Sequence, residues 1–250
     1  MILIGVGAVV IILLALTIAN YSKIIRLYDI INLFSEETIT YNFLNLNELT
    51  KSRTTAKSTK PINTPSAPAY KLPETFNCSD SSFNTQEYLK YTKTNGFLVM
   101  QNDTIVLESY YNGLKQDGTH ISWSVAKSFV STLLGFAYYD KLIDDLNDPV
   151  TKYLPDFKGT GYDGVSIKNI LQMSSGVLFN EDYKDFNSDI NRFSRSFAFG
   201  SSYTEFSKSL KRDKEPGTYC NYVSIDTQVL GILIARVTGK NLSEYLSEKI

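Results

Sequence analysis

Nineteen consecutive residues, Met1 to Ala19, carry no charge and a single hydroxyl, Thr17. At a rise of about 1.5 Å per residue such a run makes a helix about as long as the hydrocarbon layer of a bilayer is thick. Helices packed on soluble domains keep a polar face, and this run has none, so residues 1–20 read as a transmembrane anchor or an uncleaved signal. No small-residue cleavage site of the A-x-A kind follows it, which favours the anchor. Lys23 and Arg26 stand just after the span. By the positive-inside rule alone they favour a cytoplasmic body.

Beyond the span, hydrophobic periodicity fades, and the stretch from Thr54 to Pro73 gathers Thr, Ser, Lys and four of the seven prolines. Residues 21–75 are therefore expected to form a tether or a strap over a domain surface, and residues 76–250 a single folded domain. GFLVMQ (Gly96 to Gln101), the pair Asn102-Asp103 and TIVLESYY (Thr104 to Tyr111) predict a hairpin with a two-residue turn. The period then changes. Ser124 to Lys141 has apolar side chains at 125, 129, 130, 133, 134 and 137, the spacing of an amphipathic helix. Ser166 to Met173 and Ile225 to Val237 repeat that spacing, the latter closed by Gly239, and NLSEYLSEKI ends the chain as another helix. A hairpin followed by helical sequence predicts an α+β layout.

Composition removes several functions. Lys and Arg number 25 against 26 Asp and Glu, a net charge of -1 that offers no cationic field to a nucleic acid. With one histidine, His120, and two cysteines, Cys78 and Cys220, a zinc site is nearly excluded and no cofactor is expected. The cysteines are expected to be buried thiols rather than a disulfide, and His120 a structural or surface residue rather than a base. Gly159 to Gly164 matches GxGxxG, but it follows KYLPDFK rather than an apolar strand, so its glycines read as an ordinary loop.

Ser124-Val125-Ala126-Lys127 is an SxxK sequence at the start of the longest predicted helix of the domain. Three residues is nearly one helical turn, which puts the hydroxyl and the amine on one face, about 5 to 6 Å apart at Cβ. A serine becomes nucleophilic when a neighbouring base takes its proton, and lysine serves as that base when burial or a cationic or phenolic neighbour depresses its pKa. The helix amino terminus also offers N–H groups to a developing oxyanion. The bland alternative makes Ser124 a helix cap and Lys127 a surface charge. No GxSxG elbow is present.

SWSVAKSF (Ser122 to Phe129), DDLNDPVTKYLPDF (Asp144 to Phe157), VSIKNILQMSSGV (Val165 to Val177) and NYVSIDTQVLGILIARVTGKNLSEYL (Asn221 to Leu246) together resemble the serine beta-lactamase-related hydrolases of the class C and penicillin-binding type. The similarity runs from about Gly96 to the last residue. FNEDY (Phe179 to Tyr183) and YVS (Tyr222 to Ser224) look most like the branch containing 6-aminohexanoate-dimer hydrolase and related esterases. The resemblance implies a beta-lactamase/transpeptidase-like fold, Ser124 as acylated nucleophile, Lys127 as its partner base and Tyr222 as general acid/base. It also implies substrate contacts from Ser224 and from Tyr183, the latter as a donor to the scissile nitrogen. Substrates would be small esters, amides or peptides, and the body would lie outside the cytoplasm.

Two departures qualify the carry-over. Ser224 replaces the usual Asn of the Y-x-N triplet, which removes an amide donor and points to ester or amide hydrolysis rather than beta-lactam turnover. No Lys/His-Thr-Gly-like strand follows Tyr222, so the domain is expected to be incomplete, lacking its later strands. These departures also motivate a second reading, a catalytically weak penicillin-binding-like envelope sensor or scaffold.

Overall fold

The computed structural model describes residues 2–198 and 200–250. Met1, the first residue of the expected span, and Phe199 lie outside the described residues, as do the side chains of residues 2–10, 197 and 198. Helix α1 runs from Ile2 to Ile31, eleven residues beyond the predicted end of the span. By length and composition its Ile11–Ile31 portion suits a membrane span or a signal sequence. Two short helices, α2 (Ile39–Leu44) and α3 (Leu46–Leu49), stand where an irregular tether was expected. The unstructured stretch is thus shorter than its composition suggested.

The chain divides into two compact units, one of residues 32–51 and 57–121, the other of residues 1–31, 52–56 and 122–250. In the first unit, β1 (Thr75–Cys78) pairs antiparallel with β2 (Ser81–Asn84), and α4 (Thr85–Tyr91) follows. Phe76 and Phe83 stack across that hairpin, with ring centroids 5.6 Å apart, and Tyr88 of α4 packs edge-on against both. Next, β3 (Gly96–Gln101) pairs with β4 (Thr104–Tyr110), with a bulge between Val99 and Met100. Asn102 and Asp103 take positive φ, 49° and 58°, the turn geometry that suits a right-twisted hairpin and that these two residue types tolerate. The strap lies along β4, where Ala67 N–H donates to the Ile105 carbonyl at 2.9 Å. His120 in this unit bonds the Ile121 carbonyl through Nδ1 and Asn95 through Nε2.

The second unit is helical: α5 (Val125–Tyr139), α6 (Ile167–Leu171), α7 (Asp189–Ala198), α8 (Tyr203–Ser209), α9 (Ser224–Thr238) and α10 (Leu242–Lys249). Helix α9 is its spine, packed by α5, α6, α8 and α10. Leu133, Leu134 and Ala137 of α5 interlock with Ile225, Val229, Leu230, Leu233 and Ile234 of α9 in one buried cluster. Helix α5 does not bury the whole apolar stripe read from the sequence. Val125 is 61% and Phe129 45% exposed, so the first turns of α5 stand clear of the core.

Both cysteines are exposed and unpaired, which corrects the expectation of buried thiols. Cys78 closes a four-residue edge strand and Cys220 sits in the loop before α9, neither of which reaches a core. Gly176 illustrates how tightly the loops of the helical unit are drawn in. Its φ is 74°, and a Cβ there would lie 2.1 Å from the Lys214 carbonyl oxygen.

Candidate active site

The chain bends sharply before α5. Trp123 has a φ of 44°, a left-handed conformation that costs a bulky L-residue energy and is held only where the surroundings enforce it. Val125 N–H donates across the bend to the Ser122 carbonyl at 3.1 Å. Ser124 therefore arrives at the cap position of α5, but its side chain makes no capping bond. Its Oγ instead accepts a hydrogen bond from Lys127 Nζ at 3.0 Å and another from the Tyr222 hydroxyl at 2.7 Å. The Lys127 ammonium also lies 5.0 Å from the centroid of the Tyr222 ring, a cation–π contact. Ser124 and Tyr222, separated by 98 positions in the chain, thus meet at one oxygen. The first helical N–H groups of α5, at residues 125, 126 and 127, are taken up by the carbonyls of Ser122, Trp123 and Ser124.

Tyr222 is delivered by the segment that leads into α9. Asn221 N–H donates to the Met173 carbonyl at 2.9 Å, and Val223 beside it is buried. At the next residue, the Glu181 carboxylate accepts the Ser224 backbone N–H at 2.9 Å on Oε2 and the Ser224 hydroxyl on Oε1. The Tyr183 hydroxyl reaches the same Oε1 at 3.3 Å. Burial first, then the charge and hydrogen bond of Glu181, push the Tyr183 phenol up to about 12, so Tyr183 holds its proton throughout the ordinary pH range.

The five residues singled out in the sequence therefore fall into two groups. Ser124, Lys127 and Tyr222 share one hydrogen-bonded cluster, while Ser224 and Tyr183 gather around Glu181. The hydroxyl hydrogen of Ser224 is directed at Glu181, so what this side chain can offer a substrate is an acceptor. Glu181 is not among the residues singled out in the sequence. The available signal was its place two residues before Tyr183, within FNEDY.

A buried carboxylate was also missed. Asp226, in the first turn of α9, is fully buried, and its Oδ1 accepts from the Tyr162 hydroxyl and the Ser175 hydroxyl, each at 2.8 Å. Its Oδ2 is buried with no hydrogen-bond partner among the described residues. Burial pushes its carboxyl up to about 7 against the opposing pull of those two hydroxyls. Among the described residues no group of three or more His, Cys, Asp or Glu side chains is placed to hold a metal ion.

The beta-lactamase family model matches residues 92–250. The chain belongs to that family. The family's fold is seen at the level of structure as well. A Bacillus anthracis protein provisionally named 6-aminohexanoate-dimer hydrolase superposes with a TM-score of 0.77 at 20% identity, covering 88% of this chain and 60% of that one. Among curated relatives, the 6-aminohexanoate-dimer hydrolase of Paenarthrobacter ureafaciens is 34% identical over 170 residues, 65% of this chain and 43% of that protein. A beta-lactamase of Providencia stuartii is 29% identical over 126 residues, 50% of this chain and 29% of that protein. The chain thus spans less than half the length of these two curated family members.

Proposed function

We propose that this beta-lactamase family chain is a serine hydrolase that forms an acyl-enzyme on Ser124 and cleaves small esters, amides or peptides. The observation that carries this reading is the convergence of Lys127 Nζ and the Tyr222 hydroxyl on Ser124 Oγ, at 3.0 and 2.7 Å. In the proposed first step Lys127, once it has given up its own extra proton, takes the Ser124 proton as Oγ bonds to the substrate carbonyl carbon. Tyr222, bonded to the same oxygen, passes a proton to the leaving alkoxide or amine, and water then releases the acyl group by the reverse traffic. Tyr183, kept protonated, is no base, and to donate to the leaving nitrogen its hydroxyl must turn away from Glu181.

A fluorophosphonate probe tests the proposal. The full chain is expected to take up one probe, mapped by mass spectrometry to the peptide holding Ser124. Absence of labelling, or labelling elsewhere, overturns it. A penicillin-binding-like sensor that acylates without turnover is the second reading, favoured by the serine at 224 whose hydroxyl hydrogen Glu181 already takes. It predicts that the acyl group from a p-nitrophenyl ester stays on Ser124 for hours, whereas a hydrolase releases it repeatedly.

The apolar helix α1 suits a membrane anchor or a signal sequence, and we place the body outside the cytoplasm, as the resemblance to the penicillin-binding type implies. An alkaline phosphatase fused after Pro73 is expected to be active in intact cells. An inactive fusion would put the body inside.

A further inference from the structure

We propose that Glu181 is the positioning residue of this site, a carboxylate that clamps the first turn of α9 and thereby sets where Tyr222 meets Ser124. The proposal rests on the reading of Ser124, Lys127 and Tyr222 as the reacting groups, but it makes a structural claim that can be tested apart from them.

A helix begins with backbone N–H groups that have no partner within the helix. In four other helices the cap residue itself supplies one: Asn84 for α4, Ser166 for α6, Ser202 for α8 and Asn241 for α10 each accept from an N–H of the first turn. At α9 the cap residue is Val223, which has the extended backbone of a cap, φ -129° and ψ 101°, but no polar side-chain atom. Its side chain is buried instead, 2% exposed. The only acid in the first turn of α9 is Asp226, and it is occupied by Tyr162 and Ser175. The cap is supplied from 43 residues earlier in the chain, by Glu181 on Ser224 N–H. A carboxylate there also meets the positive end of the helix dipole.

The clamp grips twice, through the peptide N–H on one oxygen and the Ser224 hydroxyl on the other. Serine at position 224 is thus explained as the second donor to Glu181. Upstream, the Met173 carbonyl holds Asn221. Tyr222 lies between these two anchors, so its ring is carried by a short backbone span fixed at both ends. Displacing reacting groups by about 1 Å costs on the order of a hundredfold in rate, so loss of one anchor acts on the chemistry without touching Ser124 or Lys127. Glu181 also holds the Tyr183 hydroxyl, which places both phenols of the site under one carboxylate.

The test uses the full chain in detergent with three variants, E181Q, S224A and the double variant, and three readouts. By hydrogen exchange, E181Q is expected to speed exchange in a peptide spanning residues 222–228 about tenfold, with α5 and α10 unchanged. The rate of fluorophosphonate labelling at Ser124 is expected to fall about thirtyfold in E181Q and about threefold in S224A, and the double variant to match E181Q, because the hydroxyl has no role once its acceptor is weakened. With p-nitrophenyl acetate, kcat is expected to carry the loss while KM stays within twofold. Unchanged exchange at the start of α9 in E181Q overturns the clamp whether or not the chain is a hydrolase. Normal labelling in E181Q with faster exchange overturns its link to Tyr222. If the wild-type chain does not label at all, the hydrolase reading fails, and the exchange result alone decides the clamp.

Discussion

Lys127→Ala is expected to slow acylation of Ser124 by about a thousandfold, within the range by which a positioned proton-transfer group speeds a reaction. The amine stands 3.0 Å from Ser124 Oγ, one turn along a helix whose next turns are locked into the core by Leu133, Leu134 and Ala137, so its distance is set by the backbone and not by a flexible loop. Lys127→Arg separates charge from proton transfer. Arginine preserves the positive charge and the contact with the Tyr222 ring, but its guanidinium does not give up a proton in proteins. It should therefore be nearly as slow as alanine. Tyr222→Phe is expected to cost about a hundredfold, and the Lys127→Ala/Tyr222→Phe pair less than the product of the two, since both act on one proton path. Labelling time courses with the fluorophosphonate probe measure all four. An arginine variant that labels at the wild-type rate would leave lysine no role as a base.

A second large effect is expected in stability rather than rate. The Asp226 carboxyl is pushed from its ordinary value of 3.8 up to about 7 by burial. In the unfolded chain it loses its proton near pH 4, while the folded chain keeps it until about pH 7. Between these values the native state binds the extra proton, so stability falls as pH rises and levels off above about 7. A tenfold difference in proton affinity between the two states is worth about 1.4 kcal/mol, so the full loss is about 4 kcal/mol. Asp226→Asn keeps the shape and the acceptor for Tyr162 and Ser175 but cannot ionise. The variant should trail the wild type in urea unfolding at pH 4 by the cost of one buried amide donor, about 1–3 kcal/mol, and gain about 4 kcal/mol relative to it between pH 4 and pH 8. Equal pH slopes for the two proteins would show that Asp226 is charged in the fold.

Much of the helical unit was legible because its elements carry strong local signals. The stretch that became α5 repeats apolar residues at helical spacing, Ser166 caps α6 through the N–H of Asn169, and Gly239 ends α9 with a φ of 68°. The hairpin of β3 and β4 was legible through its Asn102-Asp103 turn. Elements with weak local signals were missed. β1 and β2 are four residues each and hold together through Phe76 and Phe83, two residues that in sequence look like isolated aromatics. α7, in Asp189–Ala198, is rich in Ser, Asn and Arg, and its helical face shows only where Phe193 packs on Tyr203 and Phe206.

The same division holds at the site. Lys127 follows Ser124 by three positions, and a helix converts that spacing into a contact, so the sequence by itself determined that pair. Its ordered blocks determined the family. The resemblance pointed to Tyr222, but only tertiary structure decided that its hydroxyl closes on the serine oxygen, that Glu181 rather than Val223 caps α9, and that Asp226 is buried with one oxygen unpaired. These depend on contacts between residues 43 to 98 positions apart. Spacing along a helix or strand encodes neighbours within a few residues, whereas contacts across such separations are fixed by how the helices pack.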